Sequence, residues 1–263
     1  MTLLLTLSTS SLTGLFEDPE NGPTSLLDVP SFAMDHLAFR GLYIDAAMLS
    51  GWSLGELDRL RDRADKAGCP CLVLHDEELL PLADADEAKR QEAINRVDRL
   101  AVAGNRLGCN AIAVRCADSS GEEAMERATE ALRGVMASIE RLELNLLLQP
   151  STGLTGTPDG VTDLVKRVGG FRIGVLPTYG TAESAEDEIE RLRRLAPYAG
   201  AMLFEIKAYR GKSGHTGADL SQGIDTLKKV GYASTVAIHY VGTSPMKDLD
   251  KAREELQAAI EAD

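Results

Sequence analysis

The chain has 263 residues, 44% of them apolar and 26% charged, a composition that excludes a disordered tail or a small disulfide scaffold. Lys plus Arg number 28 against 41 Asp plus Glu, and the net charge of −13 repels a duplex phosphate backbone, which excludes nucleic acid as an expected partner. Cys69, Cys71, Cys109 and Cys116 form neither a C-x-x-C pair nor a zinc-knuckle spacing and read as buried, reduced thiols.

The opening MTLLLTLSTSSLTGLF is apolar but is interrupted by Thr and Ser and has no basic residue before Arg40, so it reads as a strand instead of a signal peptide. No later stretch reaches the roughly 18 uncharged apolar residues that a membrane span needs. A cytoplasmic protein with no membrane partner is expected.

Short β-rich runs then recur along the chain: LLLTL at 3–7, GLYID at 41–45, CLVLH at 71–75, AIAVR at 111–115, LNLLLQ at 144–149, RIGVL at 172–176, AMLFEIK at 201–207 and STVAIHY at 234–240. Helical stretches separate them. Ser53-x-x-Glu56 and Ser119-x-x-Glu122 predict capped helix starts, and Ala128, Leu132, Val135, Ile139 and Leu142 keep to one helical face. Gly68, Gly108, Gly200 and Gly231 each precede a strand, where a left-handed helix terminus is expected. The longest connection, Ser8 to Arg40, carries Phe16, Pro23, Pro30, Phe32 and Met34 and reads as a lid, a partner surface or a structured insertion.

Eightfold strand and helix alternation with no linker predicts an α/β fold: parallel strands closed into a single (β/α)₈ TIM barrel over residues 1–263. An open doubly wound sheet is the runner-up, but the chain lacks both a G-x-G-x-x-G after the first strand and a Walker loop.

Barrel strands alternate between helix-facing and interior residues, and sites lie at their C-terminal ends. Parity turns Met202, Phe204 and Ile206 outward and Glu205 and Lys207 inward; in the last run Val236, Ile238 and Tyr240 face out and His239 faces in. The predicted polar ring is Asp45, His75, Arg115, Gln149, Glu205, Lys207 and His239. Each such group needs a partner or hydration, so a converging set points to a site. Glu205 and His239 are the acid–base candidates, with Lys207 or Arg115 to stabilise an enediolate. Lys207 as a Schiff-base nucleophile is a variant of this reading. The loop AYRGKSGHTGADL adds Arg210, Lys212 and His215, suited to a substrate phosphate or carboxylate or else a solvated basic turn. Trp52, Tyr179 and Tyr209 sit in loops where they could meet a sugar; for Trp52 a hydrophobic loop anchor is the favoured reading.

The segments RLGCNAIAV, LNLLLQP, RIGVLPTYGT, FEIKA and GYASTVAIHYVG make the chain resemble the xylose isomerase-like barrels over nearly its whole length. The last segment, similar to "GY-x-G-x-x-x-IEY-x-G", is the most specific. The resemblance implies a sugar or sugar-acid isomerase or epimerase that moves a proton next to a carbonyl on a small carbohydrate-like substrate. It also implies a divalent metal held by Glu, Asp, His and Glu, but Gln149, Thr178, Glu205 and His239 stand at those positions, and Thr181 replaces the His that often follows the Asp. The metal pattern is therefore not carried over, and Thr178 passes to the substrate-binding set together with Asp45, His75, Arg115, Gln149 and Arg210. Mn²⁺, Mg²⁺ or Zn²⁺ on Gln149, Glu205 and His239 is the secondary reading. The alternative function is a catalytically inactive barrel that binds a ligand or acts as a partner subunit, and a homo-oligomer is admitted.

Overall fold

The computed structural model describes residues 3–18, 20–210 and 214–262. Nine parallel strands, β1 (Leu4–Ser8), β2 (Leu42–Asp45), β3 (Cys71–Leu80), β4 (Ala111–Cys116), β5 (Asn145–Gln149), β6 (Ile173–Val175), β7 (Thr178–Tyr179), β8 (Met202–Ile206) and β9 (Thr235–Tyr240), run in the order β6-β5-β4-β3-β2-β1-β9-β8-β7. The sixth predicted run, 172–176, holds β6, and a second short strand, β7, follows it beyond the predicted end, the two standing at the two ends of that order. The interruption falls at Leu176 and Pro177, and Pro177 has no N–H to donate to a ladder. The Leu176 N–H still reaches the Leu148 carbonyl at 3.0 Å, and the Leu203 N–H reaches the Pro177 carbonyl at 2.9 Å, so one continuous segment bridges β5 to β8 and closes the cylinder. The eight-stranded barrel is thereby realised.

The helices are α1 (Val29–Leu37), α2 (Leu54–Ala67), α3 (Glu87–Leu107), α4 (Glu122–Arg141), α5 (Pro158–Val168), α6 (Ala185–Leu195), α7 (Leu220–Lys229) and α8 (Pro245–Glu261). None of the described helices is long and apolar enough to cross a membrane. The Ser53 capping box forms, with the Ser53 N–H donating to Glu56 Oε2 at 2.7 Å. The Ser119 start does not: α4 is capped by Gly121 at φ 90°, and Ser119 Oγ donates to its neighbour's carbonyl instead. Gly68, Gly108 and Gly231 hold the expected left-handed backbone. Gly200 does not; it is required by close approach, since a Cβ there would lie 2.6 Å from Leu147 Cδ2.

Strand parity divides the packing into two cores. Met202, Phe204, Ile206, Val236, Ile238 and Tyr240 pack outward against the helices, whereas Val73, Ala113, Leu147, Leu203 and Ala237 fill the barrel interior. Each fully buried Leu or Val contributes roughly 1.5–3 kcal/mol over its exposed state. A one-residue bulge at Leu72, between the Leu42–Cys71 and Tyr43–Val73 pairs, sets Val73 and His75 on the interior face. The four cysteines are free and buried, and burial pushes the thiols of Cys69, Cys71 and Cys116 up to about 12.

The opening segment is only briefly a strand. Its polar continuation winds into a 3₁₀ turn at Thr9–Leu15, in which Ser11 Oγ donates to the Ile238 carbonyl and accepts from the Tyr240 N–H. The rest of the long first connection carries a short 3₁₀ turn and α1, with Val29, Phe32 and Leu37 buried. It is a structured insertion that packs on the barrel.

Candidate active site at the strand ends

The C-terminal ends of the strands carry a cavity of about 390 Å³ lined by Glu77, Arg115, Gln149, Ser151, Thr178, Thr181, Arg191, Glu205 and His239, with Leu203 at its floor. The interior side chains end in polar groups, since Arg115, Gln149, Glu205 and His239 each follow Ala113, Leu147, Leu203 and Ala237 by two residues on the same face of their strands.

Glu205 and His239 are register partners in the β8–β9 ladder, so their side chains leave the sheet side by side into the cavity. Ser10 Oγ lies 3.1 Å from His239 Nδ1 and 2.8 Å from Ser8 Oγ. With Nδ1 engaged, Nε2 is the nitrogen that a ligand can meet. Lys207 lies one residue beyond β8, where strand parity no longer governs it. Its half-exposed side chain is 3.7 Å from Glu205 Oε1 at the rim and does not line the cavity, contrary to its expected inward position.

On the opposite wall, His75 is buried at 2% exposure, and its Nε2 lies 2.7 Å from Gln149 Oε1. Gln149 Nε2 donates in turn to Thr178 Oγ1 at 3.1 Å, so the network assigns the His75 proton to Nε2. Burial pushes the His75 pKa down; the Gln149 hydrogen bond and the Glu77 and Asp45 charges pull it up, and His239 pushes it down. Asp45 is half-buried behind this chain. Burial raises its carboxyl, and Oδ1 caps the following turn by accepting from the Ala47 N–H at 2.9 Å.

Arg115 lines the cavity from β4, spending one N–H on the Glu77 carbonyl at 3.3 Å. Arg210 is exposed and does not line the cavity; its N–H closes a turn on the Gly214 carbonyl. His215 accepts the Lys207 N–H at Nε2 and donates from Nδ1 to the Ala218 carbonyl, so both nitrogens serve the loop and neither is left for an anion. Lys212 lies outside the described residues. Tyr179, buried in β7 and not in a loop as expected, and Tyr209 are likewise spent within the protein, Tyr179 on the Asp219 carbonyl and Tyr209 on Glu255. Trp52 packs partly buried against the core and borders a separate surface pocket with Arg96 and Arg99, as a loop anchor does.

Glu77, Arg191, Ser10 and Ser151 escape the sequence reading. Glu77 belongs to a strand that runs five residues past His75, through a stretch that reads as a solvated acidic run. Arg191 reaches the cavity from the middle of α6, where no local pattern marks it. Ser10 lies in a serine-rich stretch whose only signal is its hydroxyl.

The donor chemistry does not match the family's divalent metal. Of the four ligand positions, Thr178 and Gln149 carry no charge, and both Gln149 amide atoms are engaged by His75 and Thr178. Among the described residues no three His, Cys, Asp or Glu side chains converge as a metal-holding group.

Solved structures with this fold include the 3-keto-D-glucoside 4-epimerase YcjR from E. coli, 13% identical with a TM-score of 0.76 over 97% of this chain and 99% of that one. An L-ribulose 3-epimerase is similar at 14% identity and a TM-score of 0.79, covering 99% of this chain and 95% of that one. The D-psicose 3-epimerase of Clostridium cellulolyticum H10 is similar at 17% identity and a TM-score of 0.71, covering 99% and 97%. At these identities the likeness establishes the fold. No protein of curated function matches the chain at significant similarity. The model of the xylose isomerase-like TIM barrel family matches residues 35–262, nearly the whole chain, and to that family this protein belongs.

Proposed function

We propose that the protein is a sugar or sugar-acid isomerase or epimerase that moves a proton on a carbon next to a carbonyl, without the divalent metal usual in its family. The observation that carries this reading is the in-register pair Glu205 and His239, both on the cavity wall. In this scheme the Glu205 carboxylate takes the proton from the carbon. His239, held at Nδ1 by Ser10, offers Nε2 to the carbonyl oxygen, where the enediolate charge develops. The Lys207 ammonium at the rim, 3.7 Å from Glu205, adds positive charge to the same wall. His75, Gln149 and Thr178 form a fixed hydrogen-bonded wall, with Asp45 behind it, against which a small carbohydrate would be oriented. That structural neighbours are sugar epimerases supports this class of chemistry. The cavity volume is that of a small-molecule site.

A second reading is a barrel that binds its ligand without turnover, favoured by the replacement of charged ligand positions with Gln149 and Thr178. One experiment separates them. A panel of ketoses and sugar acids is incubated with the protein in D₂O, and deuterium at the carbon beside the carbonyl is followed by NMR. Exchange that is lost in Glu205→Gln and His239→Asn supports the enzyme; the absence of exchange with every compound, together with retained binding, establishes the binding barrel.

A further inference from the structure

We infer that Arg115 and Arg191 form an oxyanion-binding subsite in the cavity they share with Glu205 and His239, so that the substrate carries a terminal carboxylate or phosphate. This deepens the proposed reaction and rests on it for the identity of the reacting end.

The first observation is charge placement. The chain carries 28 basic against 41 acidic residues, and several of its partly buried guanidinium groups are paired with carboxylates. Arg96 pairs with Asp76 and Glu78, Arg167 with Glu122 and Asp163, and Arg253 with Asp250. Arg115 and Arg191 line one cavity, and among the described residues neither has a carboxylate partner. The cavity also holds the carboxylates of Glu77 and Glu205, but among the described residues neither forms an ion pair with Arg115 or Arg191, so both guanidinium groups keep N–H donors for an incoming oxyanion.

The second observation is incomplete satisfaction. Arg115 gives one N–H to the Glu77 carbonyl, while its Nε is buried with no hydrogen-bond partner in the protein. A buried, unpaired donor on a cation costs free energy that a bound oxyanion would recover through charge-assisted hydrogen bonds.

The third is direction. Arg115 stands on β4, across the barrel from Glu205 and His239 on β8 and β9, whereas Arg191 reaches the same cavity from α6, the helix that joins β7 to β8, so the two guanidinium groups enter it from different elements. The carboxylate of Glu77, the other acid at the cavity, leans toward His75 Nδ1 at 3.9 Å and leaves the guanidinium of Arg115 to the ligand. The basic loop after β8 does not serve this purpose, since His215 is internally bonded and Arg210 does not line the cavity.

The test is calorimetric titration of the full chain at low salt with three probes: D-fructose, D-gluconate and D-fructose 6-phosphate. An anionic probe is expected to bind about tenfold or more tightly than fructose, as two charge-assisted contacts warrant. Arg115→Gln and Arg191→Gln should each remove most of that preference by weakening the anions far more than fructose, while Arg191→Lys retains part of it. Preference for gluconate assigns a sugar acid, and preference for the phosphate assigns a sugar phosphate. Equal or tighter binding of fructose overturns the subsite, as does unchanged anion affinity in folded Gln variants. Deuterium exchange read in parallel keeps the two ideas separate: exchange without anion preference overturns the subsite alone, and arginine-dependent anion preference without exchange supports the subsite while removing the proposed reaction.

Discussion

Ser10 Oγ lies 3.1 Å from His239 Nδ1, although the two residues are 229 positions apart. The contact exists because the chain leaving β1 turns at once into a 3₁₀ helix packed on the end of β9, with Ser11 anchored to the Ile238 carbonyl and the Tyr240 N–H. In the proposed reaction Ser10 is a positioning residue that acts through His239, holding Nδ1 so that Nε2 is left for the ligand. Ser10→Ala is expected to slow solvent exchange by about tenfold, a share of the roughly 10²–10⁴ that a positioned acid or base supplies. The loss should fall on kcat with KM little changed, and Ser10→Thr should restore most of it. An equal rise in KM would make Ser10 a substrate contact instead.

His75 makes stability depend on pH. Burial depresses its folded pKa below the ordinary 6.5, so the unfolded chain binds more protons as the pH falls. The sign follows: its contribution is complete above about 6.5 and is lost progressively as the pH drops from there through the folded pKa. Urea unfolding at a series of pH values should show stability falling over that window more steeply in the wild type than in His75→Gln. Gln149→Glu places a carboxylate against His75 Nε2, favours the charged ring and should flatten the same window. Identical pH slopes in all three proteins would remove His75 as the source.

The architecture was legible in the sequence wherever hydrophobic period and turn chemistry agree. All eight strand runs correspond to barrel strands, and parity placed Glu205 and His239 inward because Phe204 and Ile238 must face the helices. Parity failed at Lys207 because β8 ends at Ile206, and it failed to reach Glu77 because β3 continues beyond its apolar run. The split of the sixth strand was foreshadowed only by Pro177. Arg191 and Ser10 were illegible for a different reason: Arg191 reaches the site from the middle of a helix and Ser10 from a 3₁₀ turn just past the end of β1, and no local spacing records either. The loop residues Arg210 and His215 showed the converse, since composition gave their charge but could not show that His215 is consumed by its own loop.

Asp76 is buried at 3% exposure on β3 and takes both oxygens' hydrogen bonds from Arg96, at 2.6 and 3.0 Å. The pair holds the strand extension between His75 and Glu77 in place from the outside of the barrel. Arg96→Ala leaves a buried carboxylate without a counter-ion and is expected to cost about 2 kcal/mol, below the usual loss for a fully buried pair because Arg96 is one-third exposed. Adding Asp76→Leu to Arg96→Leu should recover much of the loss. Urea melts of the single and double variants measure the coupling, and a single-variant loss under about 0.5 kcal/mol would show that water replaces the arginine.

The replacement of the family's ligands also yields a gain-of-function prediction. A cation that binds the native state raises the melting temperature by mass action, so even a weak site registers on heating with Mn²⁺, Mg²⁺ or Zn²⁺. The wild type is expected to show little shift, because the Gln149 amide is already spent on His75 and Thr178 and adds no charge to Glu205 and His239. Gln149→Glu with Thr178→Asp puts two carboxylates on β5 and β7, facing the same cavity as Glu205 and His239, which completes three carboxylates and one imidazole. That double variant should melt several degrees higher in Mn²⁺ than in a chelator and should retain metal through gel filtration. A stoichiometric metal already present in the wild type, removed by chelation with a matching fall in melting temperature, would show that Gln149, Glu205 and His239 rearrange to hold an ion and would return the cation to the mechanism.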